Sequence, residues 1–160
     1  MSIAVGDAIP NVKIATMTPE GIEPVETSEF FKGKKVVLFS VPGAFTPTCS
    51  ARHLPGFVDK ADEFKAKGVD TIACMSVNDV FVMGAWGKAQ NVGDNVVMLA
   101  DGNGDFAAAL GLEMDGTGFG MGKRSQRFAL VADDGKVSAL HVEGPGEFKV
   151  SSAEAVLAAL

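Results

Sequence analysis

Two stretches of strand length, Lys35 to Val41 (KVVLFSV) and Val69 to Val77 (VDTIACMSV), are apolar at nearly every position rather than at every second one. A strand with one wet face alternates, whereas a strand covered on both faces does not. Such strands demand a layer on each side of their sheet. The chain between them offers one: from about Pro47 to Lys67, the residues Leu54, Phe57, Val58, Ala61 and Phe64 recur at helical spacing. Strand, helix and strand in that order predict an α/β fold, a mixed central sheet with helices on both faces.

The remaining elements follow from local chemistry. Weak alternation at Val12, Ile14 and Thr16, among Pro10, Pro19 and Pro24, reads as a short hairpin. Pro42-Gly43 ends the first buried strand. Pro55 lies inside the helical pattern, where it removes a donor and crowds the preceding turn, so a kink is expected there. Gly68 ends that helix. Asp79 to Gln90 is predicted helical with Asn78 as its N-cap. Val96 to Ala100 reads as a strand and Asp105 to Leu112 as a short helix. Arg127 to Ala132 and Val137 to Val142 flank Asp133-Asp134-Gly135, the signature of a β-hairpin. Ser151-x-x-Glu154 reads as a capping box opening a last helix through Val156, Leu157 and Leu160.

A chain of 160 residues fits a single domain over 1–160. At that size a fold buries roughly 70% of the surface its unfolded chain exposes, so it needs neither disulfide nor metal to be stable. Lys+Arg number 14 and Asp+Glu 20, a net charge of −6, and no basic run is longer than Lys34-Lys35 or Lys123-Arg124. That balance argues against nucleic acid or an anionic membrane as partner. No stretch approaches the ~18–20 apolar residues of a membrane span. The N-terminus has neither a basic nor an apolar region of signal type, and a cytoplasmic location is expected. The two cysteines are Cys49 and Cys74. With His53 and His141 the only histidines and no Cys-x-x-Cys, no metal site is expected. A structural disulfide is disfavoured in a reducing compartment. Each thiol is therefore either a small buried hydrophobe or a reactive group.

Cys49 sits just past the end of a buried strand, where open α/β sheets concentrate their ligand chemistry. It also falls in the first turn of the following helix, where unpaired N–H groups and the positive end of the dipole favour an anion. Helix N-termini and cationic neighbours favour the thiolate of a cysteine, and the thiolate is the nucleophile. Two other signals fail. Gly116-x-Gly118-x-Gly120-x-Gly122 neither follows a strong strand nor opens a helix, so it is a poor phosphate loop and reads as a mobile loop ahead of Arg127. Asp101-x-Asn103-x-Asp105 imitates a calcium loop, but Phe106 and Leu112 stand where that loop needs Gly and Glu.

The string Pro42-Gly43-Ala44-Phe45-Thr46-Pro47-Thr48-Cys49-Ser50 resembles the peroxidatic-cysteine motif of peroxiredoxins, Pro-x-x-x-Thr-x-x-Cys in general form. His53-Leu54-Pro55-Gly56-Phe57, Ser76-Val77-Asn78-Asp79, Phe81-Val82-Met83, Ala85-Trp86 and Arg124-Ser125-x-Arg127-Phe128 are similar to the type II, peroxiredoxin-5-like subfamily. The matches run in order from Pro42 to Phe128. The element order is that of a thioredoxin-like fold with insertions, in keeping with this resemblance.

The resemblance implies a thiol peroxidase of antioxidant defence and redox homeostasis. Cys49 would attack hydrogen peroxide or an alkyl hydroperoxide and become a sulfenic acid. Thr46 would orient the thiolate and the attacked oxygen, Arg127 would hold the thiolate and polarise the peroxide, and Pro42 would shield the sulfur from water. Outside this context, a Thr before a helix is commonly a cap and an Arg at a strand start commonly faces solvent. His53, four residues after Cys49 on one helical face, either assists the thiolate or serves packing or an interface.

Cys74 is a buried hydrophobe by its strand position, yet some type II relatives resolve the sulfenic acid with a cysteine at this separation. Relatives that resolve with a cysteine near the C-terminus have no counterpart here, since His141 to Leu160 contains none. The favoured reading is one-Cys chemistry, with glutathione and glutaredoxin, or thioredoxin, as external reductant. No cofactor is implied, and a homodimer is. A thioredoxin-type oxidoreductase is the enzymatic rival, weakened by the missing Cys-x-x-Cys; a redox sensor or chaperone is the non-enzymatic one.

Overall fold

The computed structural model describes residues 2–160. Its centre is a seven-stranded mixed sheet. The strands are β1 (Lys13–Thr18), β2 (Gly21–Glu26), β3 (Lys35–Ser40), β4 (Thr71–Ser76), β5 (Val97–Ala100), β8 (Phe128–Asp133) and β9 (Lys136–Val142), in the order β2-β1-β5-β4-β3-β8-β9. Strands β3, β4 and β5 are parallel to one another, and the pairs β1–β2, β1–β5, β3–β8 and β8–β9 are antiparallel. The two apolar runs thus lie side by side in the middle of the sheet, where both faces need cover.

Alternation within β3 divides the core in two. Val37, Phe39 and Val41 point to one face and Val36 and Leu38 to the other, all fully buried. The first face is covered by α2 (Leu54–Asp59), α3 (Ala61–Ala66), α4 (Val80–Ala89) and α6 (Ala153–Ala158), through Leu54, Phe57, Phe64, Met83, Trp86 and Val156. The second is covered by α1 (Thr27–Phe31) and α5 (Asp105–Leu110), through Phe31, Phe106 and Leu110. The Asp-Gly signal between β8 and β9 is met: Asp134 and Gly135 have φ of 50° and 79°, the double left-handed turn that matches the twist of the strands.

Several local expectations are corrected. The kink expected at Pro55 appears one turn earlier, as a π-helical turn over Cys49–His53 in which the Leu54 N–H reaches back to the Cys49 carbonyl. A proline supplies no N–H for the carbonyl one turn back, and Pro55 instead stands at the start of α2. A second break, at Lys60, separates α2 from α3. Gly68, at φ 89°, closes α3 as expected. The cap of α4 is Asp79, whose carboxylate accepts from the Val82 N–H at 2.8 Å, and not Asn78. The cap of α6 is Ser152, not Ser151. The glycine-rich segment, read as a loop, is the tip of a small hairpin formed by β6 (Glu113–Asp115) and β7 (Lys123–Ser125). Asp101 is buried, and its carboxylate accepts from the Phe106 and Ala107 N–H groups and fixes the start of α5.

Candidate active site

The site is built where β3 ends. Val41 still pairs with the neighbouring strand, its N–H on the Met75 carbonyl at 3.1 Å. The chain then turns through Phe45, whose φ of 61° is unusual for a bulky residue. Two bonds hold that turn. The Ala44 N–H donates to Asn78 Oδ1 at 3.0 Å, and the Thr46 hydroxyl donates to the Gly43 carbonyl at 2.7 Å. Ser76 Oγ donates to the same Asn78 oxygen at 2.6 Å. Asn78 is therefore a clamp on the loop, and its neighbour is free to cap α4.

The helical chain starts with Pro47, at the position where a missing N–H is tolerated. The Thr46 carbonyl accepts the Ser50 N–H at 2.9 Å, so Cys49 lies in the first turn, as its position in the sequence implies. Ser50 Oγ in turn accepts from the indole N–H of buried Trp86 at 3.0 Å. The Cys49 side chain has no exposed surface.

The half-buried Arg127, just ahead of β8, reaches this turn with both arms. Its Nη2 donates to Cys49 Sγ at 3.1 Å and its Nη1 to His53 Nδ1 at 2.8 Å. On its far side, His53 donates from Nε2 to the Ser151 carbonyl at 2.9 Å. A guanidinium only donates and a carbonyl only accepts, so the ring proton sits on Nε2 and Nδ1 is bare. Burial, and then the charge of Arg127, lower the imidazole from its ordinary 6.5 to about 3. His53 is therefore a neutral acceptor for the Arg127 guanidinium. Its ring is held by Phe39 and Phe148, both with centroids 4.9 Å away, and by Phe57 at 5.7 Å.

The structure thus brings together Cys49, His53 and Arg127 from elements 74 and 78 residues apart. Thr46 stands one helical turn before the sulfur, but its single proton lies on Gly43. Its oxygen is left as an acceptor, so it has no proton to give the thiolate. Pro42 is half-buried on the loop leading from β3. Cys74 is opposite Phe39 in the β3–β4 register, in the same core cluster as Cys49, and both thiols are free. Burial, and then the neighbouring Cys49, push the Cys74 thiol well up, with Arg127 opposing. Asn78, Ser151 and Phe148 belong to the site's frame; the sequence marks Asn78 and Ser151 only as helix caps or within the family match, and Phe148 not at all.

The guanidinium N–H aimed at the Cys49 sulfur is a charge-assisted donor. Among the described residues no three His, Cys, Asp or Glu side chains gather as metal ligands, and no helix is long and apolar enough to cross a membrane.

Residues 4–157 match the Redoxin family. The chain is 52% identical over 159 residues to Peroxiredoxin-2B of Arabidopsis thaliana, across 99% of this chain and 98% of that protein. It is 50% identical over 163 residues to the chloroplastic Peroxiredoxin-2E of the same plant, across 99% of this chain and 70% of that protein. The crystal structure of reduced Prx3 from Vibrio vulnificus in complex with hydrogen peroxide matches with a TM-score of 0.95 at 57% identity, over 98% of each chain. The chloroplast address of so similar a relative overturns the cytoplasmic location expected from the sequence. The mixed sheet is accordingly the thioredoxin-like one, and the chain belongs to the Redoxin family, among the peroxiredoxins, as a thiol-dependent peroxidase.

Proposed function

We propose that Cys49 is the peroxidatic nucleophile, with Arg127, Thr46 and Pro42 as its partners and an external thiol as its reductant. The observation that carries this reading is the 3.1 Å bond from Arg127 Nη2 to Cys49 Sγ. The guanidinium stays charged at any working pH. The thiolate attacks one peroxide oxygen, the O–O bond breaks, and the leaving oxygen departs as water or an alcohol after taking a proton. Sulfur is oxidised to the sulfenic acid and the peroxide is reduced. Negative charge moves from sulfur to the leaving oxygen, and Arg127, already on the sulfur, would stabilise that shift. Thr46, its proton on Gly43, accepts the O–H of the incoming peroxide and so aims it. Pro42 closes the loop side against water.

A thiol then condenses with the sulfenic acid, releasing water and leaving a mixed disulfide that a second thiol cleaves. Glutathione with glutaredoxin, or thioredoxin, supplies these thiols. Cys74 stays out of the cycle: burial keeps it protonated, and it lies within a paired central strand. The protein works as a homodimer, a reading supported by the exposed Phe45, Phe81 and Phe119 on segments around the Cys49 loop.

The test is hydrogen peroxide consumption with glutathione, glutaredoxin and a recycling system, for wild type and Cys49→Ser. Turnover abolished by the substitution is the expected result; turnover unchanged removes Cys49 as nucleophile. Thioredoxin in place of glutaredoxin distinguishes the reductants, and loss of turnover in Cys74→Ser with every thiol would end the one-Cys reading.

A further inference from the structure

Glu143 follows β9 and is only 7% exposed. Its carboxylate takes no part in an ion pair among the described residues, where Lys60–Glu63 and Lys149–Glu147 are the pairs formed. A buried charge without a counter-ion is costly unless hydrogen bonds replace the lost water. Here they do. One oxygen accepts from the N–H groups of Lys149, Val150 and Ser151 at 2.8, 2.9 and 2.8 Å, and from the Ser151 hydroxyl at 2.6 Å. Burial would raise this carboxyl, but these bonds outweigh it and hold it below its ordinary value, so it is an anion at neutral pH.

The backbone of the same residue touches the site from the other direction: the Glu143 N–H donates to the Arg127 carbonyl at 3.0 Å. The links close into a ring. Arg127 donates to His53, His53 donates to the Ser151 carbonyl, Ser151 donates to the Glu143 carboxylate, and Glu143 donates to Arg127. Every member of the ring is satisfied, and such closed networks favour one geometry.

We propose that Glu143 is a positioning residue for peroxide reduction: its carboxylate fixes the 149–151 turn, whose Ser151 carbonyl sets the His53 tautomer that seats Arg127 on the Cys49 sulfur. This rests on the reading that Arg127 serves Cys49. Without the carboxylate, three N–H groups lose their acceptor and the turn relaxes. His53 is then free to carry its proton on Nδ1, which faces the guanidinium donor for donor. Arg127 swings away and the thiolate loses its cation.

The test uses the full chain as Glu143→Ala and Glu143→Gln, with three readouts. These are the single-turnover rate of Cys49 with hydrogen peroxide, the pH midpoint of Cys49 alkylation by iodoacetamide, and the His53 ring signals in 15N NMR. Wild type shows the Nε2–H tautomer. In Glu143→Ala the rate falls about tenfold, as for the loss of one charge-assisted bond, the alkylation midpoint rises, and the His53 signals report mixed tautomers. Glu143→Gln, whose amide oxygen accepts from the same N–H groups, restores the rate to within about threefold. Glu143→Ala with wild-type midpoint and tautomer overturns the proposal, as does a wild-type ring protonated on Nδ1. If Glu143→Ala does not fold, Glu143→Asp, one methylene too short for the turn, is judged on the same terms. Arg127→Gln separates the two layers: if it leaves the rate intact, the reading of Arg127 falls; if it abolishes the rate while every Glu143 variant keeps it, only the role of Glu143 falls.

Discussion

Cys49 and Cys74 share one core cluster, and neither has exposed surface. By burial alone they are the same residue. They differ in what the backbone around them leaves unpaired. Cys74 lies mid-strand in β4, between β3 and β5, where the sheet consumes the nearby N–H groups. Cys49 lies in a first helical turn, where N–H groups are spare, and a guanidinium stands 3.1 Å from its sulfur. The two thiols thus differ in the positive charge placed around them and not in their access to solvent.

The sharpest break of that comparison is chemical. Exposure to hydrogen peroxide followed by a sulfenic-acid trap such as dimedone is expected to label Cys49 alone; label on Cys74 of comparable extent would dissolve the distinction. Removing the cation comes next. Arg127→Gln is expected to lower the peroxide rate by about a hundredfold or more, in the range of lost transition-state donors, bringing Cys49 towards the behaviour of Cys74. A loss under threefold would show that the helix turn suffices by itself.

A third test addresses the neutral imidazole that seats the cation. His53 has a folded value lowered to about 3 against an ordinary 6.5. Between those values the unfolded chain binds a proton that the folded chain refuses, so stability is present above pH 6.5 and lost as pH falls. From pH 6.5 to 5, above the carboxylate range, the loss is about 2 kcal/mol. Denaturant unfolding at the two pH values measures it, and His53→Gln is expected to remove the difference. The smallest effect falls on the quiet thiol. Cys74→Ser is expected to leave turnover with external thiols within about twofold while costing about 1–3 kcal/mol in denaturant unfolding, because its hydroxyl is buried among apolar neighbours.

The placement of Cys49 was legible in the sequence because it is local. A buried strand, a Pro-Gly break, a helix-opening proline and the cysteine fall within Lys35 to Cys49, and each announces the next. Arg127 was legible only through family resemblance, since 78 residues separate it from the sulfur. The ring through His53, Ser151 and Glu143 was not legible, because hydrogen bonds that span up to 98 residues leave no periodicity. Capping failed for a different reason. Asn78 and Asp79, or Ser151 and Ser152, are adjacent and equally able to cap, and which one does so depends on what else claims the other. Asn78 is claimed by Ala44 and Ser76, Ser151 by Glu143. Helix α1 was missed because five residues show too little repeat, and β6 and β7 because three-residue strands around four glycines look like loop.

The π turn over Cys49–His53 has a kinetic consequence. It is the segment that encloses the sulfur, and Pro55 just beyond it gives no N–H to the preceding turn. Local opening of such a segment costs less than global unfolding. A peroxide is small enough to need little of it, whereas a thiol carried on a larger molecule meets a sulfur with no surface until the turn uncoils. On the proposed reading of Cys49 with an external thiol, the recycling half would carry the opening equilibrium as a factor in its rate. On that reading, a substitution that stiffens residues 49–53 would leave peroxide reduction fast and slow the recycling half, a control exerted by the backbone around the cysteine and not by its charge.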